Sequence, residues 1–457
     1  MDMIKDITNQ KRKSFGLNIH MNLTTIGILI FVFAFSTFKS FLFSSNIELL
    51  SLLSLSGSLM FLLFSCIIIN KKSIILSSAD IMWILFLMLF IVNIALNNII
   101  TNSTMFDIFM YTSCILFLII VKVDISYYNP SLRLIKLLGI IYACSAIFQY
   151  LFTDIYLSNV LSLFSTWEKE NILKLLSNNS YTGFTNQTAH LAGYIVSGIG
   201  IIIFSNWKER LSIKVISIAF LIVLFIGLLL TAKRAHLVFM IVAILITFLF
   251  SANNKTLIKN IIKLSISGIA VLLIAILLYS SFEFHDDSPI TGFINELNAT
   301  VNGVIEGEDV TSGRSVLYDY SWRLFTESPI VGIGWSEFIN NSQGLINSNL
   351  GSHPHNIYLQ LLTELGIIGF LLFVFPVLYV YYKTYRLLRV LNVNNDSFKK
   401  WKFGIQFSFF SQTFFLLYGM TGNLLTDYNF LLMYFFSCSI SLSGLIILKP
   451  DNLNIKG

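Results

Sequence analysis

Charged residues are scarce in this sequence, at 12% of its 457 residues. A soluble globular domain carries about a quarter, so the scarcity excludes most soluble classes. The hydrophobic residues, 55% of the chain, fall in blocks of about twenty, the length that crosses a hydrocarbon core of roughly 30 Å. Only helices or closed barrels satisfy the backbone in lipid, and long runs without alternation are helical. The sequence therefore predicts an all-α integral membrane protein.

Several chemical motifs are also missing. The chain has no phosphate-binding glycine loop, no aspartate pair spaced for a metal-bound nucleotide sugar and no serine-nucleophile motif. The four cysteines lie inside apolar runs without the spacing of a metal site, and we expect them to be core or lipid-facing hydrophobes: Cys66, Cys114, Cys144 and Cys438. The sequence predicts neither a metal site nor a cofactor.

About twelve apolar segments are predicted to span the membrane within one polytopic domain, residues 1–457. No cleavable signal peptide is visible, and the first span is long enough to remain as a signal anchor. An acidic segment, 281–355, separates the ninth span from the tenth and is predicted to be the largest loop. The predicted spans are 24–43, 47–69, 80–100, 104–121, 132–152, 187–205, 211–230, 236–251, 261–280, 356–382, 403–420 and 427–447.

The basic residues predict the orientation, because cytoplasmic loops are enriched in Lys and Arg. With the N-terminus inside, 23 of the 30 Lys and Arg residues lie on the inner side, and Lys39 lies near the outer end of the first span. Both termini are then cytoplasmic and residues 281–355 are outside. This bias also explains the net charge of +6 without a nucleic-acid partner. The six basic residues left outside are Lys169, Lys174, Lys233, Arg234, Arg314 and Arg323.

The first candidate site is the short outer turn Thr231–His236, which contains Lys233 and Arg234. A charge held at the membrane edge is costly and usually functional. Two interpretations stay open. The cations either reach lipid phosphates or bind an anionic, lipid-linked substrate.

The second candidate is Arg314, where a helix is predicted to begin with Thr311 or Ser312 as its N-cap. A cation at a helix N-terminus opposes the helix dipole. The position suits an anion bound jointly by backbone N–H groups and the guanidinium; the alternative is that Arg314 only neutralises the acidic loop. Arg323 follows Asp319 by four residues, so a surface ion pair is predicted there.

The third candidate is His355. Pro354 suits the first position of a helix, which would place His355 and Asn356 in the first turn of the tenth span at the outer surface. An imidazole that titrates near neutrality is suited to taking a proton from an attacking hydroxyl. The alternative is a cap or interface residue.

These segments resemble the signature region of the O-antigen ligase and polysaccharide polymerase superfamily. The turn ending in Arg234 is similar to a short outer turn of that family. Residues 183–186 and 191–193 look like its entry to the preceding helix pair, with His190 where the family often has asparagine. The other matching pieces are Gly313-Arg314, Trp322 and residues 329–334, 355–360 and 364–369.

The resemblance implies a metal-independent membrane glycosyltransferase of the C type in the bacterial cytoplasmic (inner) membrane. Its donor would be an undecaprenyl-pyrophosphate-linked glycan at the outer face. By the family's motifs, Arg234 and Arg314 would hold the pyrophosphate and His355 would act on the acceptor hydroxyl as base or orienting group. Lys233, Asn356 and Arg323 are predicted substrate contacts. The expected partners are lipid-linked oligosaccharide, membrane lipids and other polysaccharide assembly proteins.

The identity of the glycan acceptor distinguishes two possible functions. A polymerase joins the glycan to a second lipid-linked glycan, whereas a ligase transfers it to a lipid A core sugar. The motifs do not separate them, and we favour polymerase because surface-polysaccharide gene clusters commonly encode their own. A polysaccharide or lipid transporter is the alternative from another class. The acidic loop and the sparse ionisable residues within the spans argue against it: the clearest are Lys39, Asp107 and Glu364.

Overall fold

The computed structural model describes residues 23–35, 48–68, 73–97, 99–205, 211–251, 313–345, 351–391 and 399–448. Within these ranges the chain is helical without strands, and thirteen helices have eleven or more residues. They are α1 (Leu23–Phe33), α2 (Glu48–Ile68), α3 (Ser78–Leu96), α4 (Asn102–Val123), α5 (Tyr128–Leu151), α6 (Thr166–Ser177), α7 (Thr188–Phe204), α8 (Leu211–Leu230), α9 (Arg234–Ser251), α10 (Arg314–Glu327), α11 (Ile357–Val390), α12 (Lys399–Tyr418) and α13 (Tyr428–Leu448).

Seven of these helices are long and apolar enough to cross a membrane: α3, α4, α5, α8, α9, α11 and α13. Helix α7 is apolar but shorter. The predicted ninth span, the first part of the predicted loop (residues 281–312) and both termini lie outside the described residues. The all-helical, multi-pass fold is therefore confirmed. The number twelve and the placement of the large loop stay predictions.

Helix α13 lies in the middle of the bundle, where 83% of its spanning segment is buried. Its aromatic side chains pack on several neighbours: Tyr434 stacks on Phe415 of α12 with ring centroids 4.1 Å apart, and Phe435 meets Trp83 of α3 at 5.0 Å. Helix α8, in contrast, has only 22% of its span buried and exposes many apolar side chains. Because lipid is as apolar as these side chains, packing rather than the hydrophobic effect selects the buried faces.

Lys122 and Asp80 form a buried ion pair that joins α4 to α3. The predicted fourth span ends at residue 121, which would leave Lys122 in an inner loop, but Lys122 lies in the last turn of α4 and is only 8% exposed. Asp80 explains the difference, because a carboxylate partner makes burial of a cation tolerable. The same carboxylate accepts from the backbone N–H of Ser77 and completes the capping box of α3.

Helix α11 is broken at Gly366, whose backbone lies in the left-handed region (φ +64°). The segment after α10 packs into the break. The N–H of Ile367 donates to the Pro329 carbonyl and the N–H of Ile333 donates to the Thr363 carbonyl, both at 2.9 Å. Non-helical backbone at membrane depth needs such partners. The break in α11 therefore fixes α10 against α11.

Buried polar side chains of the bundle contact the same segment. Asn93 of α3 accepts from the N–H of Trp335 at 3.0 Å, and the Trp335 indole donates to Asp107 of α4 at 2.8 Å. Glu364, fully buried on α11, accepts from Gln360 at 3.0 Å. Two of the ionisable residues noted in the predicted spans thus sit at the contact between this segment and the helices.

Gly332 is expected to be indispensable for this contact. Its φ is +74°, and a Cβ would lie 2.3 Å from the carbonyl carbon of Glu364. Gly332→Ala should destabilise the protein through left-handed strain, roughly 1–3 kcal/mol, and through a backbone clash of roughly 1–3 kcal/mol. Thermal unfolding of the purified protein in detergent measures the loss.

Gly344 is the matched control. Its φ is +79°, but a Cβ there would meet nothing within 4 Å. Gly344→Ala should therefore show the strain without the clash. Equal losses of stability in the two variants would contradict the packing argument.

Candidate functional site

Lys233 and Arg234 lie at a tight turn between two helices. Helix α8 ends at Leu230 and α9 begins at Arg234. Thr231 is fully buried, and its hydroxyl donates to a carbonyl of the last turn of α8 at 2.7 Å. Ala232 takes the left-handed conformation (φ +53°), which reverses the chain. Both cations are consequently held in a constrained turn, half-buried at the helix ends.

His236 does not belong to the exposed part of this turn. It is fully buried in α9, with its ring centroid 4.2 Å from that of Tyr418 and 5.6 Å from that of Phe430. The sequence grouped it with Lys233 and Arg234. Its position two residues into the helix turns it toward α12 and α13, so it packs in an aromatic cluster.

Helix α10 begins at Arg314 as predicted, but its cap differs. Gly313 occupies the N-cap position in the left-handed conformation (φ +82°), and glycine has no side chain with which to cap the helix. Thr311 and Ser312 lie outside the described residues. Arg314 is half-buried, and its guanidinium donates to the carbonyl of Thr421 at 3.2 Å.

Helix α11 begins three residues later than predicted, at Ile357. Asn356 is its N-cap, because its side-chain oxygen accepts from the N–H groups of the second and third helical residues at 3.0 and 3.1 Å. Pro354 and His355 therefore precede the helix. Asn356 was predicted to contact substrate, but its side-chain oxygen is used to cap α11.

His355 has a left-handed backbone (φ +54°). Such strain in a non-glycine residue persists where the surroundings enforce it, and it clusters at functional sites. The Tyr318 hydroxyl lies 3.4 Å from the His355 carbonyl, and the His355 Nε2 lies 3.4 Å from the Ser352 hydroxyl. Helix α10, through Tyr318, and the segment before α11, through Ser352, therefore both contact His355.

His355 interacts electrostatically with two of the predicted cations. Its pKa is lowered to about 4, first by burial and then by the nearby Arg314, His353 and Lys233. The imidazole is thus neutral at neutral pH and lies within electrostatic reach of both cations. Burial alone lowers the pKa of His353 to about 4, without a contribution from these cations.

Arg323 lies apart from this group. It is exposed on α10, and its guanidinium lies 4.7 Å from the centre of the Tyr320 ring. The predicted ion pair with Asp319 does not form. Nine residues of α-helix correspond to two and a half turns, so Arg323 points away from Arg314. The structure does not bring this predicted substrate contact to the site.

The loop between α12 and α13, residues 419–427, also contributes to the site, although no sequence feature predicted it. Its backbone carbonyls accept from Arg314 and from the N–H of Ile357, at 3.2 and 2.9 Å. Asp427 at its end pairs with His190 at 3.0 Å. Backbone acceptors have no residue signature, so only its position beside the other predicted outer turns could have indicated it.

The fold and this geometry define a multi-pass membrane protein in which His355, just before α11, lies within electrostatic reach of Lys233, just before α9, and of Arg314, the first residue of α10. Residues 218–374, about a third of the chain, match the family model described as O-antigen ligase. The match includes Arg234, Arg314 and His355, and over these residues it confirms the resemblance to the O-antigen ligase and polymerase superfamily. It indicates a membrane glycosyltransferase of that type. No curated protein matches the chain.

Proposed function

We propose that this protein is a surface-polysaccharide polymerase that joins undecaprenyl-pyrophosphate-linked glycan repeat units at the outer face of the bacterial cytoplasmic membrane. The observation that carries the proposal is that Arg314 and His355 meet at one loop. The Tyr318 hydroxyl contacts the carbonyls of His355 and Met420, and Arg314 donates to the carbonyl of the next residue, Thr421. A departing pyrophosphate needs fixed positive charge. Arginine supplies it without a metal, in a fork that matches phosphate oxygens.

Arg314 and Arg234 bind the pyrophosphate, with Lys233 beside them. The N-terminus of α10 adds backbone N–H groups, which favour an anion. The acceptor hydroxyl attacks the anomeric carbon, and the bond from that carbon to the pyrophosphate oxygen breaks. The hydroxyl proton passes to His355 or, if His355 only orients the hydroxyl, to an oxygen of the departing pyrophosphate. The electron pair of that bond leaves with the pyrophosphate.

The donor also affects His355. Since Arg314 and Lys233 lower the pKa of the free imidazole, an anion bound between them opposes this effect and raises the pKa. A base works best with a pKa near the operating pH. Donor binding therefore strengthens His355 as a base at the step that needs it.

We assign this site to the outer side from the distribution of basic residues, with twelve spans and both termini in the cytoplasm. In a variant without native cysteines, cysteine at Gln343 should react with an impermeant reagent added outside, and cysteine at Ser73 should be protected. Both positions are exposed. The neighbouring Ser342 is unsuitable for labelling, because it is only 2% exposed and its hydroxyl donates to the Ser352 carbonyl. The reversed labelling pattern would overturn the topology.

An O-antigen ligase is the second candidate, because the matching family model has that description. Purified protein in proteoliposomes separates the functions. Lipid-linked repeat units alone should yield a ladder of longer glycans if the protein is a polymerase. A ligase would yield product only after addition of lipid A core, and a transporter would move the donor without joining it.

A further inference from the structure

The loop formed by residues 419–427 holds three parts of the site through consecutive carbonyl groups. The carbonyls of residues 419 to 421 face, in order, the first N–H of α11 at 2.9 Å, the Tyr318 hydroxyl at 3.3 Å and the Arg314 guanidinium at 3.2 Å. The position of the guanidinium therefore depends on the position of this loop.

Asp427 anchors the far end of the loop. One of its carboxylate oxygens accepts from the N–H groups of residues 429 and 430, at 2.9 and 3.4 Å, and so caps α13. The other lies 3.0 Å from Nε2 of His190. Both oxygens of Asp427 thus have donors in the protein, which suits an anchoring function.

His190, in the first turn of α7, has acceptors on both sides. Its Nδ1 lies 3.1 Å from the side-chain oxygen of Asn186. The orientation of that amide is set by its nitrogen, which donates to Glu168 at 3.2 Å. The imidazole of His190 therefore bridges Asn186 on one side and Asp427 on the other.

We propose that His190 is a positioning residue for Arg314. Its bridge from Asn186 to Asp427 fixes the loop of residues 419–427, and the loop carbonyl at Thr421 orients the guanidinium toward the pyrophosphate. This inference rests on the proposed function, in which Arg314 binds the donor.

Replacement of His190 tests the inference in the full-length, reconstituted protein. His190→Ala should weaken binding of undecaprenyl pyrophosphate by about 10- to 100-fold, the range for loss of a hydrogen bond to a charged group. His190→Gln keeps one uncharged donor toward Asp427 and should fall between. Asn171→Ala is the control, because its amide donates to the Asn186 carbonyl at 3.0 Å without contacting Asp427; binding should stay near normal.

A double-mutant cycle separates positioning from a general structural effect. If His190 acts through Arg314, His190→Ala should weaken binding little further in an Arg314→Ala background. The same loss in both backgrounds would overturn the inference, as would normal binding by His190→Ala and His190→Gln. Normal donor binding by Arg314→Ala alone would instead refute the proposed function. Weak binding by Arg314→Ala beside normal binding by both His190 variants would refute only the positioning function.

Discussion

Arg314→Ala and Arg234→Ala are each expected to lower the rate of glycan joining by about 10²–10³-fold, the effect of removing one group that stabilises developing negative charge. The loss should occur without a fall in membrane abundance. Arg314→Lys should recover little, because lysine supplies a point charge without the fork. Lysine would also have to reach the Thr421 carbonyl that the guanidinium contacts at 3.2 Å.

Arg323→Ala is the matched control for Arg314→Ala. Both residues are arginines of α10, but Arg323 is exposed and lies over Tyr320 on the opposite face of the helix. Its replacement should leave the rate within about twofold of the unchanged protein, because surface substitutions usually act weakly. Initial rates in proteoliposomes, normalised to the amount of folded protein, make the comparison. Full activity in Arg314→Lys, or an equal loss in Arg323→Ala, would remove the pyrophosphate-binding argument.

The helices were predictable because the thickness of the membrane sets the length of a hydrophobic run that spans it. The start of α10 was predictable too, since Gly313 interrupts the helix directly before Arg314. The start of α11 was not. Pro354 is well suited to the first helical position, but the side chain of Asn356 captures two backbone N–H groups and begins the helix later.

The face of a side chain was harder to predict than its location along the chain. Arg323 was grouped with Arg314 because both are cations outside the membrane. The two residues are nine positions apart on one helix, which is two and a half turns, so their side chains point to opposite faces. His236 was grouped with Lys233 for a similar reason, and only the aromatic side chains of α12 and α13 show that it is buried. Contacts between distant segments, such as Asp427 with His190, have no counterpart in local sequence.

His355→Ala is expected to lower turnover by about 10²–10⁴-fold, the usual contribution of a general base, while binding of the lipid-pyrophosphate donor survives. His355→Gln keeps a hydrogen-bonding group that does not titrate. Retained activity in this variant would show that His355 orients the acceptor hydroxyl, and lost activity favours proton transfer. Donor binding and product length in reconstituted protein separate the two effects.

The pH dependence tests the same assignment with His353 as the control. Activity should fall as the pH decreases through the pKa of the base, because the protonated imidazole no longer accepts a proton. For kcat/KM, which reports the free enzyme, this fall should lie near the His355 pKa of about 4. For kcat it should lie at higher pH, since the bound pyrophosphate opposes the charges of Arg314 and Lys233.

His353→Ala should keep the pH dependence of both kcat and kcat/KM. The pKa of His353 is lowered by burial without a contribution from Arg314 or Lys233, so we expect His353 to lie apart from the bound pyrophosphate. An inactive His353→Ala beside a normal His355→Ala would show that the base has been assigned to the wrong histidine.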